Sequence, residues 1–140
     1  MNDHNLGIAK NILTEEKQAI VIVKNEKVVF KSDRKGISEL VKAVSDNKIE
    51  GGCAADKVIG KAAAMLLVYG KIKELYAETV SESAVIFLEN YNIPLSFGQK
   101  TDAIKNGQDL CIFEKLCLDI DSPETAFVEI NSLLMSIANR

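Results

Sequence analysis

The chain has no tryptophan, a single histidine, two prolines and three cysteines in 140 residues. Each scarcity removes a class of chemistry. His4 is the lone imidazole and lies in a polar N-terminal stretch expected to fray, so neither a histidine-rich metal centre nor a Cys–His hydrolase can be assembled. The cysteines form no CxxC pair and no disulfide framework, and they suit a reducing compartment. Cys111 and Cys117 fall on one expected helix, turned about 240° from each other, and cannot bridge without breaking it. No apolar run reaches the roughly 18 residues that a membrane span needs. The net charge of −3 lacks the basic excess of a nucleic-acid surface. Lys31, Arg34 and Lys35 make only a short cluster, interrupted by Asp33, which reads as a solvated turn. Met1 to Lys10 has no basic-then-apolar layout of a signal peptide. The expectation is a cytoplasmic protein with neither membrane nor nucleic acid as partner.

What is present is ordinary for a soluble protein: 47% hydrophobic and 26% charged residues, enough for one domain over residues 1–140 with a substantial core. Leu6, Ala9, Ile12 and Leu13 predict an amphipathic first helix. The β-branched runs Ala19–Lys24 and Val28–Lys31, separated by Asn25-Glu26-Lys27, predict a hairpin. Ile37, Leu40, Val41 and Val44 follow helical spacing. After a small-residue loop from Gly51 to Ala55, a helix is expected over Asp56–Tyr69, closed by Gly70. Its run Ala62 to Tyr69 is apolar on every face, which places it centrally. Leu75 to Val80 alternates as a strand. Ser81 can cap the next helix, with Glu82 in its first turn and Ala84, Leu88 and Tyr91 inward. Pro94 to Gly98 predicts a short strand and Thr101 to Gln108 a loop. Asp109 is expected to cap a helix that turns Leu110, Phe113 and Leu116 inward. Ser122-Pro123-Glu124 starts a last helix that buries Phe127, Ile130, Leu134 and Ile137. A hairpin followed by alternating helix and strand predicts a three-layer α/β/α sandwich, with a mixed sheet of about four to five strands.

The chemistry concentrates in Gly51-Gly52-Cys53-Ala54-Ala55-Asp56-Lys57-Val58-Ile59-Gly60-Lys61. It is not a P-loop: aligned on Gly60-Lys61, Ala55 replaces the first glycine and Ala62 the Ser/Thr that reaches Mg²⁺. Lys57, Lys61 and an adjacent helix N-terminus could hold an anion, or the lysines could simply be solvated. Asp56 reads as a helix cap or as a working acid. Cys53, after Gly52 at the expected helix start, reads as an activated thiol or as a small buried hydrophobe. Cys111 and Glu114, three apart on a helix, share a face that lines a cleft or lies idle; Cys117 reads as core.

GGCAADKVIGKAAAMLL, the VSESA that opens the following helix, and CIFEK together resemble a group of small prokaryotic proteins of unknown function in the cytidine deaminase-like fold superfamily. The likeness runs from Ala19 to about Leu118 and rests on Asp56-Lys57-Val58-Ile59-Gly60-Lys61-Ala62 and on Cys111-x-x-Glu114. Ile112 stands where that pattern has proline, and Gln99-Lys100 where it has Asn-Arg. The resemblance implies a deaminase-like scaffold. Matched to the zinc deaminases, whose signature is His/Cys-x-Glu and Pro-Cys-x-x-Cys, the chain offers Cys53 as one ligand of three, and Ala55 replaces the catalytic Glu. No zinc hydroxide can be built from that set, and shared fold carries no activity.

The expectation is therefore a metal-free and cofactor-free site for a small anionic or nucleotide-like ligand at the N-termini of the Asp56 and Ser81 helices. Gly52, Cys53, Asp56, Lys57, Lys61 and Ser81 would surround the ligand, and Cys111 and Glu114 would complete the wall. Two rivals remain open: a cysteine-dependent enzyme or redox sensor using Cys53 or Cys111, and a non-catalytic interaction module. A homo-oligomer is compatible with all three.

Overall fold

The computed structural model describes residues 4–34, 36–106 and 109–138; Lys35 of the basic cluster and Gln108 of the expected loop lie outside them. Six helices and a five-stranded mixed, open sheet make up an α/β protein, with a two-residue-a-side hairpin appended among the described residues. The order is α1 (His4–Glu15), β1 (Ile20–Lys24), β2 (Lys27–Ser32), α2 (Ile37–Ser45), β3 (Cys53–Ile59), α3 (Lys61–Tyr69), β4 (Glu74–Ser81), α4 (Glu82–Asn90), β5 (Leu95–Thr101), β6 (Lys105–Asn106), β7 (Asp109–Leu110), α5 (Ile112–Cys117) and α6 (Pro123–Ala138). Strands lie in the order β2-β1-β3-β4-β5. β1 is antiparallel to both its neighbours, while β3, β4 and β5 run parallel.

The β1–β2 hairpin closes through Asn25 and Glu26, both at positive φ (54° and 64°), the pairing of left-handed residues that matches strand twist in a two-residue loop. Alternation along the strands divides the core. Val21, Val23 and Ala55 pack with Ala9 and Leu13 of α1 on one face. Ile20, Ile22 and Ala54 face the larger core on the other. Helix α3 is the centre of that second layer: Ala62 to Leu67 are all buried, and α2, α4, α5 and α6 pack around it.

The segment from Cys53 to Ile59 is a strand, not a loop followed by a helix. Alanine favours helices in isolation, but here the chain is hydrogen-bonded on both sides, by β1 through Val21↔Ala55 and by β4 through Ala54↔Leu75. α1 and the main helical layer press on its two faces, and small side chains fit a strand sandwiched in this way. Helix α3 starts at Lys61, behind an extended Gly60. Asp56 therefore caps no helix. The Gly51–Gly52 pair belongs to the turn that feeds β3: Gly51 has φ +79°, and a Cβ on Gly52 would stand 3.0 Å from Ile22 and from the Ile49 carbonyl.

Gly70 ends α3 as expected, at φ −76°; a Cβ there would lie 2.7 Å from Ile49, so packing selects the glycine. Two smaller expectations change. Asp109 lies in β7, where neighbouring Leu110 pairs with Lys105, and Cys111 takes the cap position of the short α5. Ile137 is 40% exposed because the last turn of α6 runs past the core.

Candidate functional site

The N-terminus of α3 has no local cap, since Gly60 has no side chain to offer. Its first two amides are met from across the molecule. Lys61 N–H donates to Glu114 Oε1 at 2.8 Å, and the buried Ala62 N–H donates to Glu114 Oε2 at 2.9 Å. A carboxylate bridging two amides at the positive end of a helix is favoured by both hydrogen bonding and the dipole. Gly60 makes room for it: a Cβ there would stand 2.6 Å from Glu114 Cδ. Lys61 sends its ammonium away from that end, donating to the Leu118 carbonyl at 3.2 Å and lying 3.9 Å from Asp121 Oδ1. The anion position expected for a ligand at this helix is thus filled by the protein's own Glu114.

Beside it lies a cleft of about 320 Å³, at the small end of ligand pockets. It opens where Asp56 and Lys57 of β3 lie beside Ala19 and Ile20. Ile37 and Leu40 of α2 form one wall, and Cys111, Phe113 and Glu114 form the other. Arg34 and Lys105, both exposed, stand at its rim. Asp56 is the buried polar group of β3, 9% exposed. Its Oδ1 accepts from Val58 N–H at 3.2 Å, and no ion pair to it is found among the described residues. Burial pushes its carboxyl up to about 7; the Val58 and Lys57 amides pull it down and the charge of Glu78 pushes it further up.

Four of the expected site residues, Asp56, Lys57, Cys111 and Glu114, meet at this cleft. The other four do not. Gly52 and Cys53 lie toward the opposite end of β3, and Cys53 is buried; three residues of strand put it roughly 10 Å from Asp56 and on the other face. Cys53 therefore gains nothing from a helix dipole. Ser81 is fully buried and spends its hydroxyl capping α4 through Ala84 N–H at 3.2 Å. Lys61 serves the α5 terminus. Cys117 is buried, and burial with the nearby Glu114 charge pushes its thiol up to about 11, with Lys61 pulling against them.

Sequence reasoning missed Arg34, read as a solvated turn, and Ile37, Leu40, Ile104, Lys105 and Phe113 as cleft residues. It also missed the Glu114 bridge. One signal did point that way: a buried helix preceded by glycine, with no Ser, Thr, Asp or Asn to satisfy its amides, needs a carboxylate from elsewhere.

A five-stranded mixed sheet with a cleft beside the C-terminal half of β3 defines an α/β domain whose site lies among β3, α2 and α5. The chain belongs to the TM1506 family, described as a domain of unknown function (DUF1893), whose model matches residues 8–134. Among solved structures it is similar to a DUF1893 family protein (TM1506) from Thermotoga maritima, with a TM-score of 0.85 and 24% identity over 94% of this chain and 91% of that one. At that identity the likeness shows the fold. No curated protein matches the chain.

Proposed function

We propose that the cleft between β3, α2 and α5 binds a small anionic or nucleotide-like ligand. One observation carries the reading of the cleft as a ligand site: a buried carboxyl, Asp56, without an ion partner among the described residues, borders an apolar cleft that Arg34, Lys57 and Lys105 make attractive to an acidic group. A buried ionisable group of this kind is costly to the fold, and such groups gather where ligands are handled. Arg34, Lys57 and Lys105 supply the positive charge around it. The scaffold is read as a deaminase-like fold without deaminase chemistry. The residues that open α3 and α4 are Gly60, Lys61, Ala62 and Ser81, Glu82, Ser83, which offer neither histidine nor cysteine to zinc. Among the described residues no group of three His, Cys, Asp or Glu is placed to hold a metal ion.

A thermal-shift screen against nucleotides and acidic metabolites tests the reading. A ligand at a hundred times its Kd adds about 2.7 kcal/mol, a shift of a few degrees that Asp56→Ala should abolish. Equal shifts in both proteins would remove the cleft as the site. A cysteine-based reading keeps one foothold: of the three cysteines, Cys111 borders the cleft, half-buried, while Cys53 and Cys117 are buried.

A further inference from the structure

Asp56 and the cleft walls constrain the ligand beyond its having an acidic part. We propose that Asp56 receives the paired N–H donors of a planar amidine or amino-heterocycle, so that the cleft selects molecules joining such a head to an acidic tail directed at Arg34 and Lys105. This rests on the reading of the cleft as a ligand site. The geometry supports it in three ways. Asp56 is 9% exposed and borders the cavity, with Val58 N–H on its Oδ1. The neighbouring carboxylate, Glu114, is bound to the two α3 amides, and the α3 lysine is turned to Leu118. Of the carboxylates among the described lining residues, Asp56 is thus the one not spent on the α3 amides. Phe113, Ile37, Leu40 and Ile104 are apolar walls suited to a flat ring.

A buried carboxylate is compensated best by a donor pair that carries positive charge in the plane of its two oxygens, the geometry that amidines and guanidines share. A hydroxyl or single amide would satisfy less of it. The titratable and charged groups facing Asp56 are Glu78 on β4, Lys57 on β3, Arg34 ahead of α2, Lys105 on β6, and Cys111 and Glu114 at the start of α5. Since Asp56 titrates near 7 and an amidine stays cationic there, binding should tighten as the pH rises.

The test uses benzamidine and benzoate as probes, followed by amide shifts in ¹⁵N spectra of the wild type and Asp56→Asn. Benzamidine should shift the amides of Asp56, Val58 and Phe113. Its affinity should rise about tenfold between about pH 6 and about pH 8, following the ionised fraction of a group with a pKa about 7. Asp56→Asn should weaken it by about tenfold or more. If that variant does not fold, the wild-type pH dependence decides alone. Benzoate shifting the cleft where benzamidine does not, or benzamidine binding both proteins equally or without pH dependence, overturns the donor-edge proposal and leaves the cleft standing. If neither probe moves the cleft amides, both readings fall.

Discussion

The Glu114 carboxylate and the Lys61 amide lie 2.8 Å apart although 53 residues separate them in the chain. That contact, with its twin to Ala62, does two jobs. It satisfies the start of the central helix, and it fastens α5, which carries the Cys111 and Phe113 wall of the cleft, to the body of the protein. The geometry works because Gly60 leaves a gap the size of a carboxylate.

Glu114→Ala should destabilise the protein by about 2–4 kcal/mol, because the buried Ala62 amide loses a charge-assisted partner. Gly60→Ala should cost about 1–3 kcal/mol through overpacking, since φ −101° is open to any residue. The two effects should not add. With Glu114 removed, the alanine at position 60 meets empty space, so urea denaturation should give a double-variant loss smaller than the sum by about 1–2 kcal/mol. Simple additivity would refute the coupling.

Lys61 makes a contrasting case. Lys61→Met keeps the stem and loses the hydrogen bond to Leu118, so a loss of about 1 kcal/mol is expected. Because Glu114 already fills the α3 terminus, Lys61→Met should leave any stabilisation by inorganic phosphate over chloride at matched ionic strength as it is in the wild type. A phosphate-specific rise in Tm that disappears in Lys61→Met would restore the helix terminus as an anion site.

Local signals made much of the fold legible. The β-branched runs around Asn25-Glu26 announced the hairpin, Ser81 the cap of α4, and Ser122-Pro123 the start of α6. The strand β3 was not legible, because Gly51 to Ala55 reads as a small-residue loop and Asp56 to Gly60 as the first turn of the apolar helix, and the segment becomes a strand only when β1 and β4 pair on both sides. That one misreading moved Asp56 to a helix start and drew Gly52, Cys53, Lys61 and Ser81 into the same site. Asp56, Lys57, Cys111 and Glu114 still came together, since polar residues among small and apolar ones stood out in the chain. Their true neighbours Arg34 and Phe113 come from the β2–α2 turn and from α5, whose approach to β3 no local pattern encodes.

The cysteines should differ in reactivity, with burial as the main cause. Cys111 is half-buried at the cleft, whereas Cys53 and Cys117 are buried and the Cys117 thiol is held up near 11. Iodoacetamide on the native protein, read by peptide mass spectrometry, should label Cys111 first and Cys117 last or not at all. Preferential labelling of Cys53 would mean that the start of β3 opens far more readily than its pairing with β1 and β4 implies.

Asp56 should set how stability depends on pH. Its folded pKa of about 7 lies above the ordinary carboxylate value of 3.8, so between those values the folded state holds a proton that the unfolded state has lost. Stability must then fall as the pH rises through that window, because the slope follows protons bound unfolded minus folded. Below about 4 both states are protonated and the contribution vanishes. Above about 7 the charged form is buried without an ion partner among the described residues, and the loss reaches up to about 4 kcal/mol on the linkage relation. Asp56→Asn has no such titration. The stability of the wild type minus that of the variant, measured by urea denaturation from acid to mildly alkaline pH, should decline across the window and level off above it. A difference that stays flat, or that rises with pH, would mean that Asp56 is ionised and compensated in the folded protein, and would remove the premise for a ligand that supplies the missing charge.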